Sequence, residues 1–187
     1  SLDYYLKNTY HEKVYRIALN AGLSCPNRDG RLDTRGCIFC SAGGSGDFAA
    51  SPTLSITEQL ETEKRILKAK RNCNKFIAYF QAFTNTYGSV EHLRDLYMQA
   101  VNDPDVVIIS IATRPDCLQP EILSLLAEIN EKKTVWVELG LQTIHDDTRL
   151  FTRSGFTYET FQKSLFALHA LCSLTRSPFP TNRYPLL

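Results

Sequence analysis

The sequence predicts an α/β fold, a partial (β/α) barrel of about four parallel strand–helix units. Three observations carry that expectation. Strand-like apolar patterns alternate four times with helical ones, which calls for a parallel sheet with right-handed crossovers. Each strand has an apolar face. The opposite face turns polar toward the strands' C-terminal ends, whereas a parallel sheet covered on both sides would be apolar on both. That asymmetry points to a lined cavity at the C-terminal mouth of an open barrel; a flat doubly wound sheet is the alternative.

The elements follow in order. Residues 3–10 predict an aromatic-rich opening helix, and residues 14–20 (VYRIALN) a first strand. A long loop rich in Gly, Ser and Asp spans 22–52. Ser55 and Glu58 form a capping box that opens a helix to about Arg71. A second strand is expected over 75–83, a helix over 90–100 and a third strand over 106–112. Pro120 opens the next helix as a first-turn residue. A fourth strand over 134–142, a charged turn and a final helix over 157–171 complete the pattern.

Side-chain parity assigns the faces. In the fourth strand Val135, Val137, Leu139 and Leu141 oppose Trp136, Glu138, Gly140 and Gln142. In the first, Tyr15, Ile17 and Leu19 oppose Arg16, Ala18 and Asn20. In the third, Val107, Ile109 and Ile111 oppose Ser110, Ala112 and Arg114. Tyr79, Gln81, Phe83 and Asn85 form the polar-ending face of the second. The domain is expected over 1–172, followed by an extended tail over 173–187 with three prolines. Four units cannot close a barrel, so the open edge needs the tail, the opening segment or a second subunit, which suggests a homodimer.

With 187 residues, 43% of them hydrophobic and 22% charged, the chain is one globular domain, not a disordered tail or a collagen-like repeat. No apolar run approaches the roughly 18 residues of a membrane span, and the first 25 residues do not read as a secretory signal. A formal charge of +1 implies no strong general attraction to nucleic acid. Six cysteines without a signal argue for metal or catalytic use in the cytoplasm rather than a disulfide framework.

Cys25, Cys37 and Cys40 fall in one loop, CPNRDGRLDTRGCIFC. Three thiolates leave a fourth coordination position open, whereas a structural zinc site would close it. Thiolates hold iron–sulfur clusters as readily as zinc, and the spacing alone does not choose. Cys73, Cys117 and Cys172 are scattered and read as small apolar or surface residues, with a hydrogen-donor role as the alternative for Cys117. Gly43, Gly44 and Gly46 in AGGSGDF allow close backbone approach or loop flexibility; no Lys-Ser/Thr follows, so this is not a phosphate-binding loop.

The ordered motifs CPNRDG, GCIFCSAGGSGDF, YFQAFTNTY, SIATRPDCL and VELGLQT make the chain resemble the radical SAM superfamily. The C-x11-C-x2-C spacing, in place of the commoner C-x3-C-x2-C, is similar to the bacterial YtqA/YhcC-type family, related to the catalytic subunit of Elongator. The resemblance runs from about residue 5 to 157. It implies that Cys25, Cys37 and Cys40 bind a [4Fe–4S] cluster whose fourth iron is chelated by S-adenosylmethionine. The reduced cluster would cleave the sulfonium to methionine and a 5′-deoxyadenosyl radical that abstracts hydrogen from a substrate carbon.

The same resemblance implies cofactor contacts. Phe39 lies near the adenine or packs in the core, and Gly43 and Gly44 let the backbone approach. Gln81, Thr84 and Asn85 meet the methionine amino group or cap the strand. Ser110, rather than Thr113, faces the ribose. Glu138, costly to bury bare, meets the cofactor or pairs with Arg16 or Arg114, and Gln142 shares its face. Arg153 clamps the cofactor carboxylate or is solvated. The implied substrate is a modified nucleobase, within tRNA or free as a queuine-like base, in lyase- or transferase-type chemistry. The implied reductant is a flavodoxin or ferredoxin. From Arg149 onward five basic residues face one acidic, which agrees weakly with an RNA or other anionic partner. The basic run 64–71 reads as a solvated face, or as phosphate contacts. Two departures stand out. The family usually reads N-R-G-H where this chain has Thr152-Arg153-Ser154-Gly155, and no fifth strand or Gly-Leu-Pro-Gly segment follows Leu171, as in a short member or an incomplete chain. Two rival readings remain: a radical enzyme acting on a small molecule outside nucleic-acid metabolism, and a noncatalytic zinc or iron–sulfur module.

Overall fold

In the computed structural model, which describes residues 1–174, the four strand patterns form one parallel sheet. The elements are α1 (Leu2–Tyr10), β1 (Val14–Leu19), α2 (Ile56–Lys70), β2 (Lys75–Phe80), α3 (Val90–Val101), β3 (Val106–Thr113), α4 (Pro120–Lys132), β4 (Thr134–Leu139), α5 (Asp146–Thr152) and α6 (Tyr158–Leu174). The strands lie in the order β1-β2-β3-β4, each beside its sequence neighbour. A doubly wound sheet reverses its strand order at a switch point. This one does not, and it is the arc of a barrel.

Local chemistry places the helices. Ser55 and Glu58 form the expected reciprocal box at the start of α2, and Ser89 caps α3 by accepting from the His92 amide. Pro120 occupies the first turn of α4. Between these helices and the sheet, Ile17, Leu19, Phe76, Phe80, Ile109, Ile111 and Val135 pack against Leu60, Leu93, Tyr97 and Leu126. On the other face α1 covers only the lower end of the strands, where Leu6 joins Val14, Ile77, Ile108 and Trp136.

The structure corrects several expectations. The second strand stops at Phe80, not Phe83, and Phe83 is left-handed at φ 63. The fourth stops at Leu139, and Gln142 is left-handed at φ 67. Val107, expected beside Ile109 and Ile111, packs with the α1-side cluster, next to the β2–β3 register shift at Phe76/Ile77. The expected charged turn after β4 contains α5, whose first turn carries Asp146 and Asp147, charges that favour a helix N-terminus. A single 3₁₀ turn, Pro115–Cys117, follows β3. Residues 173 and 174 finish α6; the rest of the proline-containing tail lies outside the described residues. Among the described residues no helix is long and apolar enough to cross a membrane.

Gln59 on α2 ties down both ends of the long loop. Wholly buried, it accepts from the Asn20 amide at 2.9 Å and donates to the carbonyls of Asn20 and Leu54, each at 2.8 Å. Gln59→Leu leaves three backbone groups unpaired and should cost about 3 kcal/mol. A urea titration should show a lower midpoint with an unchanged slope.

Candidate active site

A cavity of about 380 Å³ opens over the C-terminal ends of the strands. Its wall includes Cys25, Cys37 and Cys40, together with Phe39, Gly44, Gln81, Thr84, Glu138 and Gln142 of the residues expected from sequence. Arg28, Tyr79, Phe83, Arg114, Ser154 and Phe156 line it too, and the sequence did not single these out as site residues, although Arg114 was a candidate partner for Glu138. Arg28 could have been found from its place inside the cysteine loop; Phe156 carried no signal.

The thiols are held by loop and strand-end groups. Cys37 is buried, and its sulfur accepts from Asn27 Nδ2 at 3.2 Å and lies 3.5 Å from the Arg153 carbonyl oxygen. Arg28 Nη2 bridges the carbonyls of Cys40 (3.3 Å) and Ser41 (2.5 Å), which fixes the turn around the last cysteine. Arg114 Nη1 meets the Cys25 sulfur at 4.0 Å. The Cys37 pKa falls to about 6: its hydrogen bond with Cys40 lowers it most, burial opposes, and Asn27, Arg114 and Arg28 add to the fall. The proton stays on Cys40, whose pKa rises through that same bond and through burial. Burial and Asp116 push Cys117 up to about 12, which leaves it a protonated thiol beneath the site.

Among the described residues no three His, Cys, Asp or Glu side chains are grouped tightly enough to hold one metal ion. All three thiols nevertheless line one cavity, with Cys37 and Cys40 hydrogen-bonded to each other. A cubane cluster takes each thiolate on a different iron, and three soft donors around one cavity fit it.

Below the thiols, one residue from each strand forms a layer on the open face. Arg16 Nη2 pairs with Glu138 Oε1 at 3.0 Å and its guanidinium stacks on Tyr79, 4.3 Å from the ring centre. Ser110 Oγ donates to the same carboxylate oxygen at 2.7 Å. Of the two expected arginine partners for Glu138, the structure selects Arg16; Arg114 pairs with Asp116 through Nε (2.9 Å) and Nη2 (2.8 Å). Burial lowers the Arg114 pKa, but this carboxylate outweighs it and the net shift is upward. Burial, with Glu138 nearby, pushes the Tyr79 phenol up to about 12.

Four expected residues are not on the wall. Ser110 lies behind Glu138. Asn85 donates to the carbonyls of Phe80 and Ala112, each at 3.0 Å, and so ties the ends of β2 and β3 together. The left-handed Phe83 breaks the alternation that would have turned Asn85 outward. Arg153 is left-handed at the end of α5 with its Nε buried and unpaired, and it serves the site through its carbonyl, which accepts from Asn27 at 2.7 Å. Gly43 abuts Asp47, where a Cβ would come within 2.5 Å of the carboxylate. At Gly155, φ 78, a Cβ would come within 2.7 Å of Asn27 Oδ1 and 3.3 Å of Arg114 Nη2, so the segment after α5 packs closely on the cysteine loop.

Residues 34–175 match the family model of the radical SAM superfamily, and the protein belongs to that superfamily. Its family cofactors are a [4Fe–4S] cluster and S-adenosylmethionine. Among its relatives, YtqA of Bacillus subtilis (strain 168) is 46% identical over 161 residues, covering 86% of this chain and 50% of YtqA. YhcC of Escherichia coli (strain K12) is 40% identical over 161 residues, covering 85% of this chain and 50% of YhcC. The chain thus spans about half the length of these relatives. Among solved structures, the cobalamin-dependent S-adenosylmethionine radical enzyme OxsB, with aqua-cobalamin bound, has the same fold at TM-score 0.54 and 16% identity, covering 82% of this chain and 22% of OxsB.

Two outcomes test this geometry. In cluster-free protein, iodoacetamide should label Cys37 with a rate that rises through about pH 6, because the lowered pKa leaves the thiolate populated above it. Asn27→Ala should move that rise to higher pH. At Gly44, φ 57, a Cβ would overlap the Phe83 ring. Gly44→Ala should therefore lower the unfolding temperature by several degrees and weaken cluster retention, read by iron analysis.

Proposed function

We propose that this chain is a radical SAM catalytic domain acting on a modified nucleobase, with Cys25, Cys37 and Cys40 as the cluster ligands. The observation that supports this most directly is the convergence of the three thiols on one cavity over the strands' C-terminal ends. When bound, the cluster supplies the electron that cleaves S-adenosylmethionine to methionine and a 5′-deoxyadenosyl radical. The protein's own residues bind, orient and exclude water. Phe39 offers an aromatic surface to the adenine, and Gly44 leaves the cavity wall beside it without a side chain. Gln81 and Thr84 present hydrogen-bonding groups to its amino group, backed by Asn85. Glu138, supported by Ser110, and Gln142 serve the ribose side, while Arg153, off the cavity wall, holds the cysteine loop through its carbonyl.

The nucleobase is the finer part of the proposal. It draws on the motif resemblance and on the basic excess after Arg149, and it covers a tRNA wobble base or a free queuine-like base in lyase-type cleavage, with transferase chemistry as the other outcome. A flavodoxin or ferredoxin in the cytoplasm would supply the electron, and a homodimer would cover the open sheet edge.

Anaerobic reconstitution followed by EPR tests the reading. About four irons per chain are expected, with a reduced signal that shifts on adding S-adenosylmethionine and is lost in Cys40→Ala. Zinc in place of iron, or a cluster indifferent to S-adenosylmethionine, would overturn it. A tRNA shift assay whose affinity falls with salt, run beside free-base binding, separates the two substrates. Binding of neither sends the reading to a small molecule outside nucleic-acid metabolism.

A further inference from the structure

Arg114, in the SIATRPDCL motif, is only 9% exposed, and Phe156 lies over it with the guanidinium carbon 5.3 Å from the ring centre. A guanidinium is a rigid fork of five donors. One edge is committed: Nε and Nη2 bind the two oxygens of Asp116 at 2.9 and 2.8 Å. Because the fork is planar, that pairing fixes where the third nitrogen points. Nη1 faces the Cys25 sulfur at 4.0 Å, on the wall of the cavity. No comparable cation was assigned to the cluster loop by sequence, since Arg114 lies on the far side of two strands from Cys25.

Resting on the cluster reading above, we propose that Arg114 is a positioning residue that orients the Cys25 thiolate and raises the reduction potential of the cluster it holds. Reduction adds negative charge to the cluster. A fixed cation and an N–H donor at a ligating sulfur stabilise the reduced state more than the oxidised one. Asp116 offsets part of the charge, but it binds the opposite edge of the fork and leaves Nη1 toward the sulfur. The Asp116 pair therefore acts as a bracket. Lysine could satisfy Asp116 as a point charge, yet it has no second rigid arm to aim at Cys25.

Redox titration of the reconstituted wild type, Arg114→Lys and Arg114→Gln, followed by the EPR signal of the reduced cluster, tests this. The midpoint should fall from wild type to lysine to glutamine. For glutamine the reduction equilibrium should shift about tenfold, about 59 mV for a one-electron couple. Iron content should stay at the wild-type level. A purely structural role would lower the unfolding temperature or the iron content and leave the midpoint of the remaining cluster unmoved, which would overturn the inference. Should Arg114→Gln fail to fold because Asp116 loses its partner, Arg114→Lys and the double variant Arg114→Gln/Asp116→Asn carry the comparison, and wild-type midpoints in both would overturn it. A wild-type chain without a cluster that responds to S-adenosylmethionine defeats the cluster reading itself and this inference with it. A normal cluster with an unmoved midpoint defeats the inference alone.

Discussion

Helices α2, α3 and α4 all return to the same side of the sheet, so the opposite face has no helix layer to cover it. Only α1 packs there, and it reaches no higher than Val14, Ile77, Ile108 and Trp136. The rest of that face must be satisfied by polar pairing, by the 22–52 loop or by a ligand. Each solution is visible in turn up the strands. Arg16, Tyr79, Ser110 and Glu138 pair among themselves one layer above Trp136. Above them the face opens into the cavity, and the cysteine loop closes over its far side. One-sided coverage makes the site; the loop only furnishes it.

The loop would be floppy if its own sequence were its only support. It is instead knitted to the segment after α5: Asn27 donates to the carbonyls of Arg153 and Ser154, and the Ile38 amide donates to Thr152. Gly155 allows that close approach, and the absence of a side chain there leaves room for Asn27 and Arg114 beside the thiols.

Most of the fold was legible because its determinants are local. The capping box at Ser55, proline at the start of α4 and four alternating strands each act within a few residues, and their consecutive arrangement follows from short crossovers. The cysteine triplet was legible because thiolate chemistry is rare and its spacing distinctive. What the sequence hid depends on contacts between distant segments. Arg28 and Arg114 look like ordinary charged residues until folding places them beside sulfurs. Asn85 looked like a wall residue because parity was extended past the true end of β2. The helix α5 was missed because seven residues carry too little periodicity to stand against a charged composition.

The strand ends show why parity fails there. Among the described residues five non-glycine residues have positive φ: His11, which caps α1, and Ser45, Phe83, Gln142 and Arg153, at 70, 63, 67 and 58. Of the last four, three line the cavity and Arg153 precedes Ser154, which does. A left-handed residue with a Cβ costs about 1–2 kcal/mol, and such residues persist only where the surroundings enforce them. At Phe83 the enforcement is visible: its amide donates to the Gly44 carbonyl at 2.8 Å and its ring fills the space a Gly44 side chain would need. The left-handed turn thus swings the Phe83 ring under the glycine loop, and the loop's bareness gives the ring its seat. Strand and loop each hold the other in a conformation neither would adopt alone, and the cavity wall is built from that mutual constraint.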